Sequence, residues 1–423
     1  MQKTGLKYYY IGLNRIIKIR FNFAGMRSIY QIICSSLIVT IFSSSVYGIS
    51  AKCTVEGNVY DKEAHTPICN ANVYLAYTLT GSITDNNGHF CINKIDPGKY
   101  FLVVSHVAYE DLYIQIMIKK DEKINYNFHL LPKIYELKPI IVNADSSQWK
   151  KRLKRFLKEF LGTSENSDKT KIINAEVLDF EQKGSKLFAY ANAPLEIINE
   201  SLGYKIIYTL HYFESTFNYV KYSGLPKFIE LESNQPKTSE IWKLNRKNTY
   251  EGSLRHFLTT ICLNYDLTAS INDSIEFEID FSDKPSRGNR QRYKEDNILR
   301  KNGFEVLYRK SRLRSRMFLE PGGILANTNE YLRPAENENE MYLKFDNYLE
   351  ITCTNSDHSK NKFKTNNHIS WIKLEKDSIL IDKAGRYYET FSLKTAGLWS
   401  LEKMSDLLPF DYFYENSKSG SGK

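Results

Sequence analysis

The chain has 423 residues, of which 42% are hydrophobic and 25% charged, and its formal net charge is +9. That length argues for two or three domains, and the composition excludes wholesale disorder, collagen-like repeats and a polytopic membrane protein. Six cysteines without a Cys-x-x-Cys pair exclude a zinc ribbon, a thioredoxin-like redox motif and a small disulfide scaffold.

The first 50 residues carry six basic side chains (Lys3, Lys7, Arg15, Lys18, Arg20 and Arg27) and no acidic one. An uncharged apolar stretch from Ile32 to Phe42 leads to small residues and Val46-Tyr47-Gly48, the order of a secretory signal peptide cleaved near Gly48. An uncleaved anchor from Ile29 to Ile49 and a start at Met26 are the alternatives. Ser50-Ala51-Lys52 precedes Cys53, so no lipid anchor is expected. Export to the periplasm or outer membrane leaves Cys53, Cys69, Cys91, Cys262 and Cys353 in an oxidising space. One disulfide among Cys53, Cys69 and Cys91 competes with an expectation of buried thiols.

From Cys53 to Asn143, apolar side chains alternate: Val55, Gly57, Val59; Ala71, Val73, Leu75; Leu112 to Ile118; Tyr126, Phe128, Leu130. Period two marks half-buried strands. Asp85-Asn86-Asn87-Gly88 and Asp96-Pro97-Gly98 supply the turns between them. Seven such segments in about 90 residues predict a β-sandwich.

Gly57-x-Val59-x-Asp61, Thr66-Pro67-Ile68 leading into Ala71-Asn72-Val73, Thr84-Asp85-x-x-Gly88-x-Phe90 and Pro97-Gly98-x-Tyr100 resemble the carboxypeptidase-like regulatory domain. This resemblance implies a transthyretin-like sandwich of the kind exported by Bacteroidota. It also implies an accessory role without the peptidase's catalytic residues, and in that family the domain caps TonB-dependent outer-membrane transporters. The cysteines depart from the pattern.

Asn143-Ala144-Asp145-Ser146-Ser147 offers helix-capping chemistry before Trp149. Trp149, Leu153, Phe156, Leu157, Phe160 and Leu161 then form one apolar stripe that Gly162 ends. Lys150, Lys151, Arg152, Lys154, Arg155 and Lys158 lie opposite, a basic face for solvent or for an anionic membrane surface. Further strands are expected at Tyr204 to Phe213, Phe217 to Tyr222, Lys227 to Glu232, Ile275 to Phe281, Met341 to Thr352 and Ile369 to Asp382. One helix interrupts them, capped at Ser239, with Tyr250, Leu254, Phe257, Leu258 and Ile261 as its stripe. Ala193-Pro194-Leu195, Leu202-Gly203-Tyr204-Lys205-Ile206, Tyr250-x-Gly252-Ser253-x-x-His256-Phe257 and Asp406-Leu407-Leu408-Pro409-Phe410-Asp411-Tyr412 resemble the second half of uncharacterised envelope proteins with the same first domain. That resemblance implies shared architecture and brings no activity.

The chain thus divides into a leader (1–50), a β-sandwich (51–145), an amphipathic linker helix (146–162), a β-rich α+β domain (163–414) and a tail (415–423). The fold class is mainly β: a transthyretin-like seven-strand sandwich followed by a larger α+β domain.

Candidate chemistry is sparse. His211-Tyr212-Phe213-Glu214 has the spacing of a metallopeptidase zinc pair, but on a strand i and i+3 point to opposite faces. His358 and His368 sit among polar residues with nothing to place them. Ser253 and His256 lie one helical turn apart without an orienting carboxylate, which favours helix packing over nucleophilic catalysis. Arg246 and Tyr250 fit a cation stacked on an aromatic ring. The closing Ser419-Gly420-Ser421-Gly422-Lys423 lacks the strand and helix of a phosphate loop. No metal or cofactor is expected.

Removing residues 1–50 leaves 52 basic against 49 acidic residues, a net of +3. The span from Arg287 to Arg316 alone carries eleven basic residues and three acidic ones, so the rest of the mature chain is slightly acidic. Arg287, Arg290, Arg292, Arg309, Arg312, Arg314 and Arg316 are candidate anionic-partner contacts, weighed against a solvated loop. Export disfavours nucleic acid and leaves envelope proteins, anionic lipid or glycan as partners. The leading expectation is a non-catalytic exported envelope protein that binds or scaffolds. An exported hydrolase and an accessory of a TonB-dependent transport system compete with it.

Overall fold

The computed structural model describes residues 53–133, 146–273, 299–309, 324–325, 328–353 and 369–412. All belong to one compact unit that begins at Cys53.

Seven strands build the first domain: β1 (Cys53–Asp61), β2 (Asn72–Leu75), β3 (Gly81–Ile83), β4 (His89–Asn93), β5 (Gly98–Ser105), β6 (Leu112–Ile118) and β7 (Ile124–Leu130). They form a three-stranded sheet, β4-β1-β7, and a four-stranded sheet, β3-β2-β5-β6. The alternating side chains Val55, Val59, Val73, Leu75, Phe128 and Leu130 meet between the sheets and are almost wholly buried. The mainly β class and the sandwich are as the sequence predicts. Cys91 is disulfide-bonded, Cys69 is an exposed thiol, and Cys262 and Cys353 remain thiols in the interior.

Helix α1 (Ser146–Leu161) follows, and Gly162 closes it in the left-handed conformation with φ +96°. Its stripe does not merely link domains. Phe156 and Phe160 are fully buried against a six-stranded sheet and supply the centre of a second core. That sheet runs β8 (Thr170–Ile172), β11 (Leu195–Asn199), β12 (Tyr204–Ser215), β10 (Lys186–Ala191), β9 (Leu178–Lys183), with β13 (Val220–Glu230) also paired to β12. Of the basic face, Arg152 and Arg155 bond to backbone carbonyls of Phe180, Ser185 and Ser215, whereas Lys150, Lys151, Lys154 and Lys158 are exposed.

The expected single helix is two. Helix α2 (Pro236–Tyr250) begins on Pro236, so Ser239 lies inside it and caps nothing. Gly252, at φ +72°, breaks the chain, and Ser253 Oγ accepts the His256 N–H at 3.0 Å to start α3 (Leu254–Asp273). The stripe Phe257, Leu258 and Ile261 is buried in a third core. This core lies on a five-stranded sheet of β15 (Ile324–Leu325), β14 (Phe304–Arg309), β18 (Tyr348–Cys353), β19 (Ile369–Leu374) and β21 (Leu393–Gly397), beside a three-stranded one of β16 (Leu332–Pro334), β17 (Glu340–Leu343) and β20 (Ile379–Asp382). No helix among the described residues is long and apolar enough to cross a membrane.

Candidate functional site

A turn at the end of β2 begins the site. Tyr77, held at φ +66°, donates its N–H to Pro226 O and its hydroxyl to Gly224 O, both at 2.8 Å, so the sandwich is fastened to β13. Its carbonyl accepts Phe410 N–H at 2.7 Å, which draws in the last described segment. Between these fastenings lies a cleft of about 610 Å³, within the usual size range of small-molecule sites. The sandwich, β12, β13, the α2–α3 junction and residues 385–410 all contribute to its walls.

Two guanidiniums shape one wall without remaining available to a ligand. Arg255 donates to the backbone oxygens of Ala384, Pro409, Phe410 and Tyr412 at 2.7 to 3.0 Å. Arg386 is bonded to Asp382 and lies over the Tyr100 ring at 4.4 Å. Asp382 also accepts the Ala384 and Arg386 N–H groups at 3.0 and 2.9 Å and the Tyr388 hydroxyl at 2.8 Å, closing a tight turn. Gly385 in that turn has φ +77°, and a Cβ there would sit 2.6 Å from Arg255 O. The turn points Tyr387 and Tyr388 at the cleft.

The depth of the cleft is polar. Asp406 accepts Ser164 Oγ at 2.8 Å and Asn166 Nδ2 at 2.9 Å through one oxygen, while its Oδ2 is buried with no partner among the described residues. The hydroxyls of Tyr208, Tyr222 and Tyr387 take part in none of the hydrogen bonds among the described residues. Burial pushes all three up, and neighbouring tyrosines and the Glu402 carboxylate reinforce the rise at Tyr222. Burial also holds the Lys403 ammonium below the usual lysine range. Tyr387 nevertheless keeps 39% of its surface accessible, because that surface faces the cleft. At the mouth stand Tyr113, stacked on His211 at 5.2 Å, and Phe391, edge-on to Tyr212 at 5.7 Å.

The groups weighed for catalysis in the sequence and set aside there are engaged in other contacts. His211 and Glu214 lie on strand β12, as expected. His211 stacks on Tyr113, while Glu214 is bonded to Tyr212, to Tyr219 at 2.7 Å and to Lys186 at 2.9 Å. Those bonds hold the Glu214 carboxyl at about 2, Tyr212 contributing most. Ser253 lines the cleft, but its hydroxyl caps α3, and His256 Nδ1 accepts the Gly252 N–H at 3.1 Å instead of facing Ser253 Oγ. Arg246 stacks on Tyr204 at 4.0 Å and not on Tyr250, whose ring is approached by Arg255. Among the described residues, no group of three or more His, Cys, Asp or Glu could hold a metal ion.

Arg287, Arg290, Arg292, Arg312, Arg314 and Arg316 lie outside the described residues. Arg309 ends β14, paired through its backbone with Tyr348. The centre of this span is not a solvated loop, because Phe304 and Val306 of β14 are buried in the third core. Tyr222, Tyr387, Lys403 and Asp406 escape a sequence reading, since nothing in their spacing brings them together. The segment from Asp406 to Tyr412, distinctive in sequence, supplies part of the cleft wall.

Residues 55–142 match the family model of the CarboxypepD_reg-like domain, and the sandwich is such a domain. No curated protein matches the chain. Solved structures with similarity include a type II cohesin–X-dockerin complex from Acetivibrio cellulolyticus (18% identity, TM-score 0.15, 19% of this chain and 56% of that one). Others are a DUF3823 family protein from Bacteroides ovatus (12%, 0.16, 44% and 85%) and a candidate carbohydrate-binding protein from Bacteroides uniformis (9%, 0.16, 42% and 78%). The chain therefore spans little more than half of the first of these.

Proposed function

We propose that the protein is a non-catalytic binding component of the bacterial cell envelope, whose ligand occupies the cleft between the CarboxypepD_reg-like sandwich and the rest of the chain. One observation carries this reading: a cavity of about 610 Å³ is lined by aromatic rings and tyrosyl hydroxyls, while the nearby serine and histidine are each engaged with backbone N–H groups. A preformed aromatic pocket with a few convergent polar groups is the usual form of a small-molecule site. The basic, acid-free leader followed by an apolar stretch supports export to the periplasm or outer membrane.

Crystallographic soaking with a library of small aromatic and polyhydroxylated fragments tests the reading. Fragments are expected in the cleft, and their absence there with occupancy elsewhere would overturn it. Turnover of chromogenic esters or glycosides that disappears in Glu402→Gln would replace binding by hydrolysis. Fractionation with N-terminal sequencing is expected to recover an envelope form starting near Ile49.

A further inference from the structure

We propose that the cleft takes a neutral oligosaccharide, held in its depth by tyrosyl hydroxyls and at its mouth by aromatic rings; this rests on the cleft-binding reading above. Three features select that chemistry.

The first is the supply of hydrogen-bonding groups that the protein does not use. The hydroxyls of Tyr208, Tyr222 and Tyr387, residues that line the cleft, make no hydrogen bond among the described residues. A tyrosyl hydroxyl both donates and accepts, as does each hydroxyl of a sugar, so the two sets can satisfy one another in either sense.

The second is the placement of aromatic surface. A pyranose ring has an apolar C–H face and a rim of hydroxyls, and it needs flat apolar surface beside hydrogen-bonding groups. Tyr113 and Phe391 retain 49% and 37% exposure where they line the cleft. Both rings are steadied by neighbours, His211 and Tyr212 respectively, which limits the ordering that binding would have to impose.

The third is charge. A carboxylate or phosphate ligand is best held by a free guanidinium fork. Arg255 is taken up by four carbonyls and Arg386 by Asp382. Lys99 pairs with Glu340 at 3.5 Å, and Lys221 lies over the Phe391 ring. Lys403 faces the carboxylates Glu402 and Glu159, which oppose its loss of charge. The cleft is polar without presenting a fork to an anion, which disfavours uronates and phosphorylated ligands.

Calorimetric titration of the mature chain with cellotriose, mannotriose, xylotriose and chitotriose, and with trigalacturonate as the anionic comparator, provides the test. Binding of at least one neutral trisaccharide is expected, with weaker or no binding of trigalacturonate. Tyr222→Phe and Tyr387→Phe remove only hydroxyl oxygens, and each is expected to weaken binding about three- to tenfold while leaving the melting temperature within a few degrees. A crystal soak of the tightest trisaccharide is expected to place sugar hydroxyls within hydrogen-bond reach of both tyrosines. The assignment is overturned if no neutral trisaccharide binds at millimolar concentration, if trigalacturonate binds tightest, or if the double Tyr→Phe variant binds undiminished. Fragments in the cleft combined with silent trisaccharides would sink the saccharide assignment alone, whereas an empty cleft in both experiments would sink the binding reading with it.

Discussion

His256 sits between the rings of Tyr250 and Phe304, with centroids 5.0 and 4.9 Å away, and its Nδ1 accepts the Gly252 N–H. Burial holds its pKa down to about 4, against 6.5 for an unburied imidazole. The folded state therefore favours the neutral ring, and the unfolded state takes up the proton first as pH falls. Stability contributed by this residue is complete above about 6.5 and declines as pH drops toward 4, by on the order of 3 kcal/mol. Asp411 acts in the opposite sense, since burial raises its carboxyl, but it is common to wild type and variant and cancels in a comparison. Urea denaturation of His256→Asn is expected to show a flatter loss of stability between pH 6.5 and 4 than wild type; parallel pH profiles would refute this. Residue types were legible in the sequence where the neighbour is local: Gly162 and the stripe of α1 are examples. Arg246 was not, because Tyr204, its actual partner, is 42 positions away and reaches it only once β12 is in place.

Among the elements, α1 shows how an amphipathic pattern underdetermines its partner. The stripe is evident in the sequence, but the six-stranded sheet that receives it is not. Phe160 is wholly buried, stacked on Phe156 at 4.9 Å and edge-on to Tyr208 and Tyr222. Phe160→Ala is expected to cost about 3–5 kcal/mol in chemical denaturation, whereas Lys154→Ala on the exposed face stays within about 0.5 kcal/mol. Small effects from both would mean that the helix is only a tether. Strand boundaries were harder to read than strand existence. The segments expected at Phe217 to Tyr222 and Lys227 to Glu232 join through Pro226 into β13, tolerated because among the described residues β13 pairs as a strand only with β12 and the missing N–H interrupts no second ladder there. Conversely, Met341 to Thr352 and Ile369 to Asp382 each divide in two, and each passes from one sheet to the other. Such corners depend on tertiary packing and leave the apolar pattern nearly unbroken.

At the scale of the whole molecule, the sandwich was legible from period-two alternation and local turns, but the cleft was not, since its wall draws on residues from Ala76 to Phe410. The same distance in sequence makes the junction a test of how the molecule is built. Two domains joined by a tether would unfold separately. Here, besides the three Tyr77 bonds, Leu79 N–H and Thr80 Oγ1 donate to Asp411 at 2.8 and 3.2 Å, and Lys227 reaches Asn72 Oδ1 at 2.5 Å. Tyr74, Ala76 and Val103 of the sandwich bury Leu225 of β13 in a small apolar cluster. Polar and apolar contacts thus coincide on one seam, and opening it would expose both. Calorimetry of the mature chain is expected to give a single heat-absorption peak. Tyr77→Ala removes the hydroxyl bond to Gly224 and the ring stacked on Phe410 at 5.3 Å, a loss of about 3 kcal/mol concentrated at the seam. The variant should resolve into two peaks, one of them close to the melting temperature of the sandwich. Two peaks already in wild type would show that the domains are energetically independent, and the cleft between them would then open and close with their motion.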